Sequence, residues 1–207
     1  MSARAVDPSI RAIAAQAEGC NDLDGLAAVI RSCTACAELA ATREQVVVGD
    51  TRPGARLLIV GEAPGATEDA AGRPFIGKGG QLLDRLMAEA GLRREETSVL
   101  NVLKCRPPAN RTPTRAEALR CTGWLDRQVE LLDPSLVMSL GRSALTWAMN
   151  AAATLAEVRG KVHEWRGRTL VASYHPSAAL RFGPKGAPHA ALAADLQLVA
   201  ETLLCQS

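Results

Sequence analysis

From residue 57 onward, short apolar runs alternate with longer amphipathic stretches. The runs are Leu57–Val60, Val99–Leu103, Leu136–Leu140 and Thr169–Ala172. Each is rich in Val, Leu or Ile, as strands covered on both faces are. Between them, Gly80–Ala90, Thr114–Leu132 and Arg142–Met149 carry apolar residues at helical spacing. Thr114 followed three positions on by Glu117 predicts a capping box at the start of the second of these. Ser9–Glu18 and Leu23–Ser32 predict two helices ahead of the first strand, and Ala190–Leu204 predicts a closing helix. Strands that alternate with helices in this way form crossover units. The expected fold is therefore α/β, a three-layer α/β/α sandwich with a mainly parallel four-stranded sheet. A length of 207 residues suits one buried core. A single domain over 1–207 is expected, with residues 1–32 as an N-terminal helical segment.

In open sheets of this kind ligands sit at the carboxyl ends of the strands, where loops converge. Those loops are Gly61–Gly79, Lys104–Pro113, Gly141 onward and Ser173–Phe182, and nearly every unusual residue falls in them. The first reads G-E-A-P-G-A-T-E-D-A-A-G-R-P-F-I-G-K-G-G and lacks both common phosphate-loop patterns. Its Glu62, Glu68 and Asp69 oppose a bound phosphate and suit a developing cation or an activated water. Asn101, by the second strand, offers a donor and an acceptor together, able to pair with the edge of a pyrimidine or an amide. Such a residue near a strand end also serves as a turn or cap. His175, between the last strand and a proline, suits acid/base or hydrogen-bonding work as well as a purely structural place.

Composition narrows the partners. No apolar run approaches the roughly 20 residues that a membrane helix needs, so no membrane partner is expected. A net charge of +2 does not argue for nucleic acid unless basic residues gather on one face. The candidates are Lys78, Arg106, Arg111, Arg115, Arg142, Arg159, Lys161 and Arg181. Aromatic residues are scarce, which gives weight to the places of Phe75 and Tyr174. Cys33 and Cys36, in a C-T-A-C step, and Cys105 and Cys121 have the spacing of a metal cage. Residues 1–16 mix charges and a proline with apolar positions and hold no apolar signal segment, so the cytoplasm is expected. Reduced thiolates there bind tetrahedral zinc or a [4Fe-4S] cluster, unless they are simply buried thiols. Cys20 and Cys205 lack a close partner and are read as packing or surface residues.

Four motifs occur in order, G-E-A-P-G-A-T-E-D and G-R-P-F within Gly61–Phe75, N-V-L-K-C-R-P-P over Asn101–Pro108 and H-P-S-A over His175–Ala178, alongside the four cysteines. Together they resemble the family 4 uracil-DNA glycosylases, from about Cys33 to the C-terminus. The resemblance implies a monofunctional glycosylase that excises uracil from single- or double-stranded DNA by hydrolysis and starts base excision repair. It implies a [4Fe-4S] cluster on Cys33, Cys36, Cys105 and Cys121, with a structural role. Phe75 would stack on the extruded uracil and Asn101 would read its amide edge. The backbone around Gly61 and Glu62 would read the other polar atoms, with the Glu62 side chain crowding C5 against thymine's methyl. His175 would stabilise charge on uracil O2, and Glu68, rather than Asp69, would orient the water. Pro176 and Ser177 would clamp the DNA backbone, with Leu180 or Arg181 filling the gap left by the base.

A related subgroup that traps the abasic sugar through a histidine carries K-R-R-I-H after the second strand. Here the stretch is K-C-R-P-P-A-N-R-T-P-T, and His163 lies later, in what reads as a surface turn. Turnover rather than a covalent adduct is expected. A non-catalytic iron–sulfur DNA-binding module or an electron carrier would not need Glu68, Asn101 and His175 together. A monomer is the default for a compact domain that travels along DNA.

Overall fold

The computed structural model describes residues 7–149 and 154–206. The domain expected over 1–207 thus includes residues 1–6, 150–153 and 207, which lie outside the described residues.

Two helices lead the chain, α1 (Pro8–Glu18) and α2 (Leu23–Arg31), each started by an aspartate whose carboxylate accepts a first-turn N–H. A short α3 (Ala37–Thr42) follows Cys36 directly. Next come β1 (Leu57–Gly61), α4 (Ala66–Ala71), α5 (Lys78–Glu89), β2 (Thr97–Asn101), α6 (Arg115–Leu132), β3 (Leu136–Leu140) and α7 (Gly141–Met149). The chain ends with α8 (Leu155–Val158), β4 (Val162–Trp165), β5 (Arg168–Ser173), α9 (Pro176–Phe182) and α10 (Ala187–Cys205). Thr114 and Glu117 form the capping box of α6, as expected.

The strands join in the order β2-β1-β3-β5-β4, parallel throughout except for β4 against β5. Along β1, Leu58 and Val60 face one layer, with Trp124 and Leu125 of α6, while Leu57 and Ile59 face Leu83 and Met87 of α5 and Leu196 of α10. Burial on both faces removes any polar alternation, and that is why the strands show in the sequence as continuous apolar runs. Both N-terminal helices pack on α6, so the segment before Cys33 covers the outer layer on that side.

The sheet has five strands among the described residues, not the four expected. The missed strand, β4, lies at the edge. Val162 is half exposed and only Trp165 is buried, so its sequence shows no apolar run. Its one signal is the Arg166-Gly167 pair, both at positive φ (49° and 73°), which turns β4 into β5 as a two-residue hairpin. His163 therefore belongs to a strand rather than a surface turn, and its Nε2 lies 2.8 Å from the Val158 carbonyl oxygen. Strand β2 begins and ends two residues earlier than the apolar run Val99–Leu103. Val102 and Leu103 continue beside β1 by donating N–H bonds to the carbonyls of Gly61 and Glu62, each at 3.0 Å. Two loops expected to be irregular contain the short helices α4 and α9.

Candidate active site

Strand register builds the floor of the site. Gly61 pairs with Asn101 at the ends of β1 and β2, and Leu140 pairs with Ser173 at the ends of β3 and β5. The chain passes from β1 to one side and returns to β3 on the other, so a crevice opens where the strand order reverses. A cleft of about 370 Å³ occupies it, lined by Glu62, Glu68, Phe75, Asn101, His175 and Ser177 among others. Glu62 and Ser143 span the crevice, the Ser143 hydroxyl donating to the Glu62 carboxylate at 2.5 Å.

The ring of Phe75 lies against the place where a Gly61 side chain would begin, and Asn101 Oδ1 would stand 2.6 Å from a Cβ there. Phe75 has φ 53°, a left-handed conformation that costs a bulky residue of order 1–3 kcal/mol. Gly80 makes room for it, since a Cβ at that position would strike the Phe75 carbonyl group. The Phe75 ring tilts against the His175 ring, with centroids 5.7 Å apart. Asn101 is 3% exposed and its Oδ1 has no protein partner, so a buried acceptor borders the cleft.

Glu68 does two jobs. Its carboxylate accepts N–H bonds from Gly65 (3.1 Å), Ile76 (3.1 Å) and Gly77 (2.8 Å), which ties α4 to the turn into α5. It also lines the cleft, where Oε2, which among the described residues accepts only the Gly65 N–H, keeps one lone pair to spare. Asp69 points the other way. It is fully buried and accepts the N–H groups of Glu44 and Gln45, so it secures the segment before β1 and does not line the cleft.

His175 caps α9 from its N-terminus. Its Nδ1 accepts the backbone N–H of Ser177 at 3.2 Å and lies 2.9 Å from the Ser177 hydroxyl. A nitrogen that accepts that N–H carries no proton, so a neutral His175 has its proton on Nε2. Burial pushes the pKa down to about 4, with Glu68 pulling the other way. Of the three histidines, only His175 lines this cleft.

Pro176, Leu180 and Arg181 do not line the cleft. Pro176 is the buried first residue of α9, Arg181 is exposed, and Leu180, 44% exposed, borders a separate hollow. Of the basic residues singled out in the sequence, Lys78, Arg111 and Arg142 line it. Arg159 is committed elsewhere, to buried Asp195 at 2.9 Å and to the Tyr174 ring at 5.9 Å. Lys161 bonds the Glu157 carbonyl, and Arg106 bonds Asn110 Oδ1 at 2.7 Å. Arg115 is exposed and does not line the cleft.

The wall between Cys105 and Cys121 is braced by Arg111, which grips Glu117 through two bonds of 2.7 and 2.9 Å and Glu38 through one of 3.0 Å. The Arg111 guanidinium, with help from Thr114 and against burial, holds the Glu117 carboxyl at about 2. That stabilisation is complete above the ordinary carboxylate range and disappears as pH falls from about 4.5 to 2. Because the Arg111 side chain is one-third exposed, solvent screening leaves about 1–2 kcal/mol of what a displacement of this size implies. Glu117→Gln is expected to lower the urea midpoint at pH 7 and to flatten its acid dependence between pH 4.5 and 3. Equal midpoints for the two proteins at pH 7 would refute this.

All six cysteines are free thiols. Cys33, Cys36, Cys105 and Cys121 face one core cluster, and each of Cys36, Cys105 and Cys121 is close enough to another member to raise its pKa. Burial is the main cause, and it pushes Cys121 up to about 12. Arg43 donates to Cys105 Sγ at 2.9 Å and to the Cys33 carbonyl at 2.8 Å, joining the two halves of the set. Arg120 donates to the Cys36 sulfur and the Lys104 backbone N–H to that of Cys121. Among the described residues, no three His, Cys, Asp or Glu side chains converge as a single-ion site would need. Cys33, Cys36, Cys105 and Cys121, with N–H donors directed at three of their sulfurs, are the residues that could hold a metal centre. Cys20, whose sulfur bonds the Gln16 carbonyl, and exposed Cys205 stand outside this set.

Sequence reading missed Gly80, Ser143 and Lys104. A glycine beside G-K-G carries no mark of the ring it admits, Ser143 acts through the distant Glu62, and nothing in the sequence shows that the Lys104 side chain turns back to the Asn101 carbonyl.

Comparison with known proteins places this geometry. Residues 48–197 match the family model of the uracil DNA glycosylase superfamily. The type-4 uracil-DNA glycosylase of Thermotoga maritima is 42% identical over 154 residues, covering 73% of this chain and 80% of that protein. The type-4 uracil-DNA glycosylase of Archaeoglobus fulgidus is 42% identical over 166 residues, covering 76% and 83%. A type-5 uracil-DNA glycosylase of Pyrobaculum aerophilum is 34% identical over 140 residues, covering 59% and 62%. Among the described residues no helix is long and apolar enough to cross a membrane.

Proposed function

Because the chain belongs to the uracil-DNA glycosylase superfamily and is most similar to type-4 members among these relatives, we propose that its cleft takes a uracil turned out of DNA and hydrolyses the bond to the sugar. The carrying observation is the unpartnered, buried Asn101 Oδ1 at the cleft floor beside Phe75. Extrusion costs a few kcal/mol, which the pocket must return. Phe75 supplies a face for stacking. Asn101 Oδ1 accepts N3–H of uracil while its amide N–H donates to O4. Cytosine reverses both positions and leaves the amide unmatched, a loss that polar pockets turn into strong discrimination. Glu62, pinned by Ser143, crowds C5 and refuses thymine's methyl.

As the glycosidic bond breaks, its electron pair goes to the uracil ring, and the sugar gains positive charge that water quenches at the anomeric carbon. His175 donates from Nε2 to the uracil oxygen O2, where negative charge grows. It does so as a neutral imidazole, held in that tautomer by Ser177. Glu68 offsets the positive sugar and orients the water through the one lone pair left on Oε2. The water's proton leaves to solvent and uracil departs as its anion, so no covalent intermediate arises. The absence of a histidine from residues 104–114 supports turnover over a trapped adduct.

Ser177 and Lys78, exposed at the rim, take backbone phosphates, with Arg142 on the opposite side; Leu180 and Arg181 follow on α9 to fill the vacated stack. Cys33, Cys36, Cys105 and Cys121 hold a [4Fe-4S] cluster that fastens the loop after β2 to α3 and α6, and it has a structural role. A reduced cytoplasm suits these thiols, and a monomer on DNA suffices. The N-terminal helices belong to the same domain, since they pack on α6, which carries Cys121.

Neutral His175 has a direct signature. Its folded pKa lies below 6.5, so the unfolded chain takes the proton first, and stability is lost as pH falls from about 6.5 towards 4. Long-range ¹H–¹⁵N spectra at pH 6 are expected to show an Nε2–H neutral ring, and an imidazolium at pH 6 would contradict the assignment. The functional reading is tested by calorimetric titration of free bases. Uracil binding that Asn101→Ala abolishes, with no binding of cytosine or thymine, is expected; equal binding of all three would overturn it.

A further inference from the structure

Lys104 is 1% exposed, and it lies between the cysteine set and the cleft. Its backbone N–H donates to the Cys121 sulfur, its Nζ donates to the Asn101 carbonyl at 2.9 Å, and Cys121 and Cys105 are near enough for their charge to act on its ammonium. Its own carbonyl accepts the Val47 N–H at 2.8 Å, so its backbone is held on both sides. A lysine in this position demands an explanation. An apolar side chain of similar volume would fill the space without the desolvation cost of an ammonium, which only a nearby anion offsets. Four thiolates around an iron–sulfur core leave net negative charge and supply that anion. The other end of the side chain grips the last residue of β2, whose amide forms the cleft floor opposite Gly61.

We propose that Lys104 is a positioning residue that couples the cluster to uracil recognition, its ammonium held by the cluster's charge and in turn holding Asn101 in place. The inference rests on the cluster reading above. When the cluster is lost the ammonium has no counter-charge, so it turns towards water and releases the Asn101 carbonyl. Without the ammonium, the cluster loses a neighbouring cation and Asn101 loses its anchor. One residue thus sets two properties that a merely structural lysine would leave independent.

The test compares iron-loaded wild type with iron-loaded Lys104→Met, by two readouts that do not involve catalysis: the rate of iron release to a ferrous chelator and the dissociation constant for free uracil. Both are expected to worsen, uracil affinity by about tenfold, as for one lost hydrogen bond from a charged donor. If only one readout changes, or neither does, the coupling is wrong. Should Lys104→Met fail to fold, wild type decides. Chelator removal of iron under conditions that keep the far-ultraviolet circular dichroism native is expected to weaken uracil binding in step with the iron lost. Unchanged uracil affinity in the iron-free protein overturns the coupling. Wild type that carries no iron as isolated anaerobically yet binds uracil refutes the cluster reading and the coupling together, whereas iron-loaded wild type with an unaffected Lys104→Met refutes the coupling alone.

Discussion

Gly61→Ala is expected to cut single-turnover uracil release by about a hundredfold or more, the scale of a misplacement near 1 Å in a reacting pair. One added methyl group suffices because of where it would sit. A Cβ on Gly61 would lie 2.6 Å from Asn101 Oδ1 and 2.7 Å from Phe75 Cε2, closer than side chains tolerate. Neither neighbour has an easy retreat. Phe75 is buried in a left-handed conformation with its carbonyl against Gly80, and Asn101 is fixed by strand register and by Lys104. The backbone at Gly61 is not in the left-handed region, so the substitution tests space rather than chain conformation. Overpacking of this kind costs about 1–3 kcal/mol of stability. The folded variant should therefore remain at 25 °C, with a lower melting temperature and a much lower rate. A rate near wild type would mean that neither the ring nor the amide holds the base.

His175→Ala is expected to lower the single-turnover rate by about 10²–10³, the range for removal of one donor to a developing oxyanion. Affinity for DNA carrying an uncleavable uracil analogue should change little, because the donor strengthens as charge grows on O2. The fold should survive. Loss of the ring removes the cap of α9, worth about 1 kcal/mol, but leaves Pro176 at the first helical turn. A variant that loses binding and rate equally would place His175 in ground-state recognition instead.

The legibility of this chain in sequence follows burial. Strands β1, β3 and β5 could be read because both faces are covered over most of their length and apolar residues dominate them. Edge strand β4 could not, because only Trp165 in it is buried and its residues form no apolar run. Helix α6 announced itself through Thr114 and Glu117, whereas α4 and α9 are too short for a periodic pattern. Site residues carried by motifs converge on one cleft as expected: Glu62, Glu68, Phe75, Asn101 and His175. The resemblance favours Glu68 over its neighbour Asp69, and in the structure Glu68 lines the cleft while Asp69 turns away to the Glu44 and Gln45 N–H groups. Lys104 in sequence is one more basic residue before a cysteine. Leu180 and Arg181 stand outside the cleft proper.

Single-turnover incubation of anaerobically purified protein with a uracil-containing oligonucleotide, then alkaline cleavage and a denaturing gel, tests the account most directly. Strand scission only at uracil, with free uracil released and the signal lost in Asn101→Ala and His175→Ala, is the predicted result. Intact strands from iron-loaded wild type, or a DNA band that stays shifted with protein after denaturation, would contradict it.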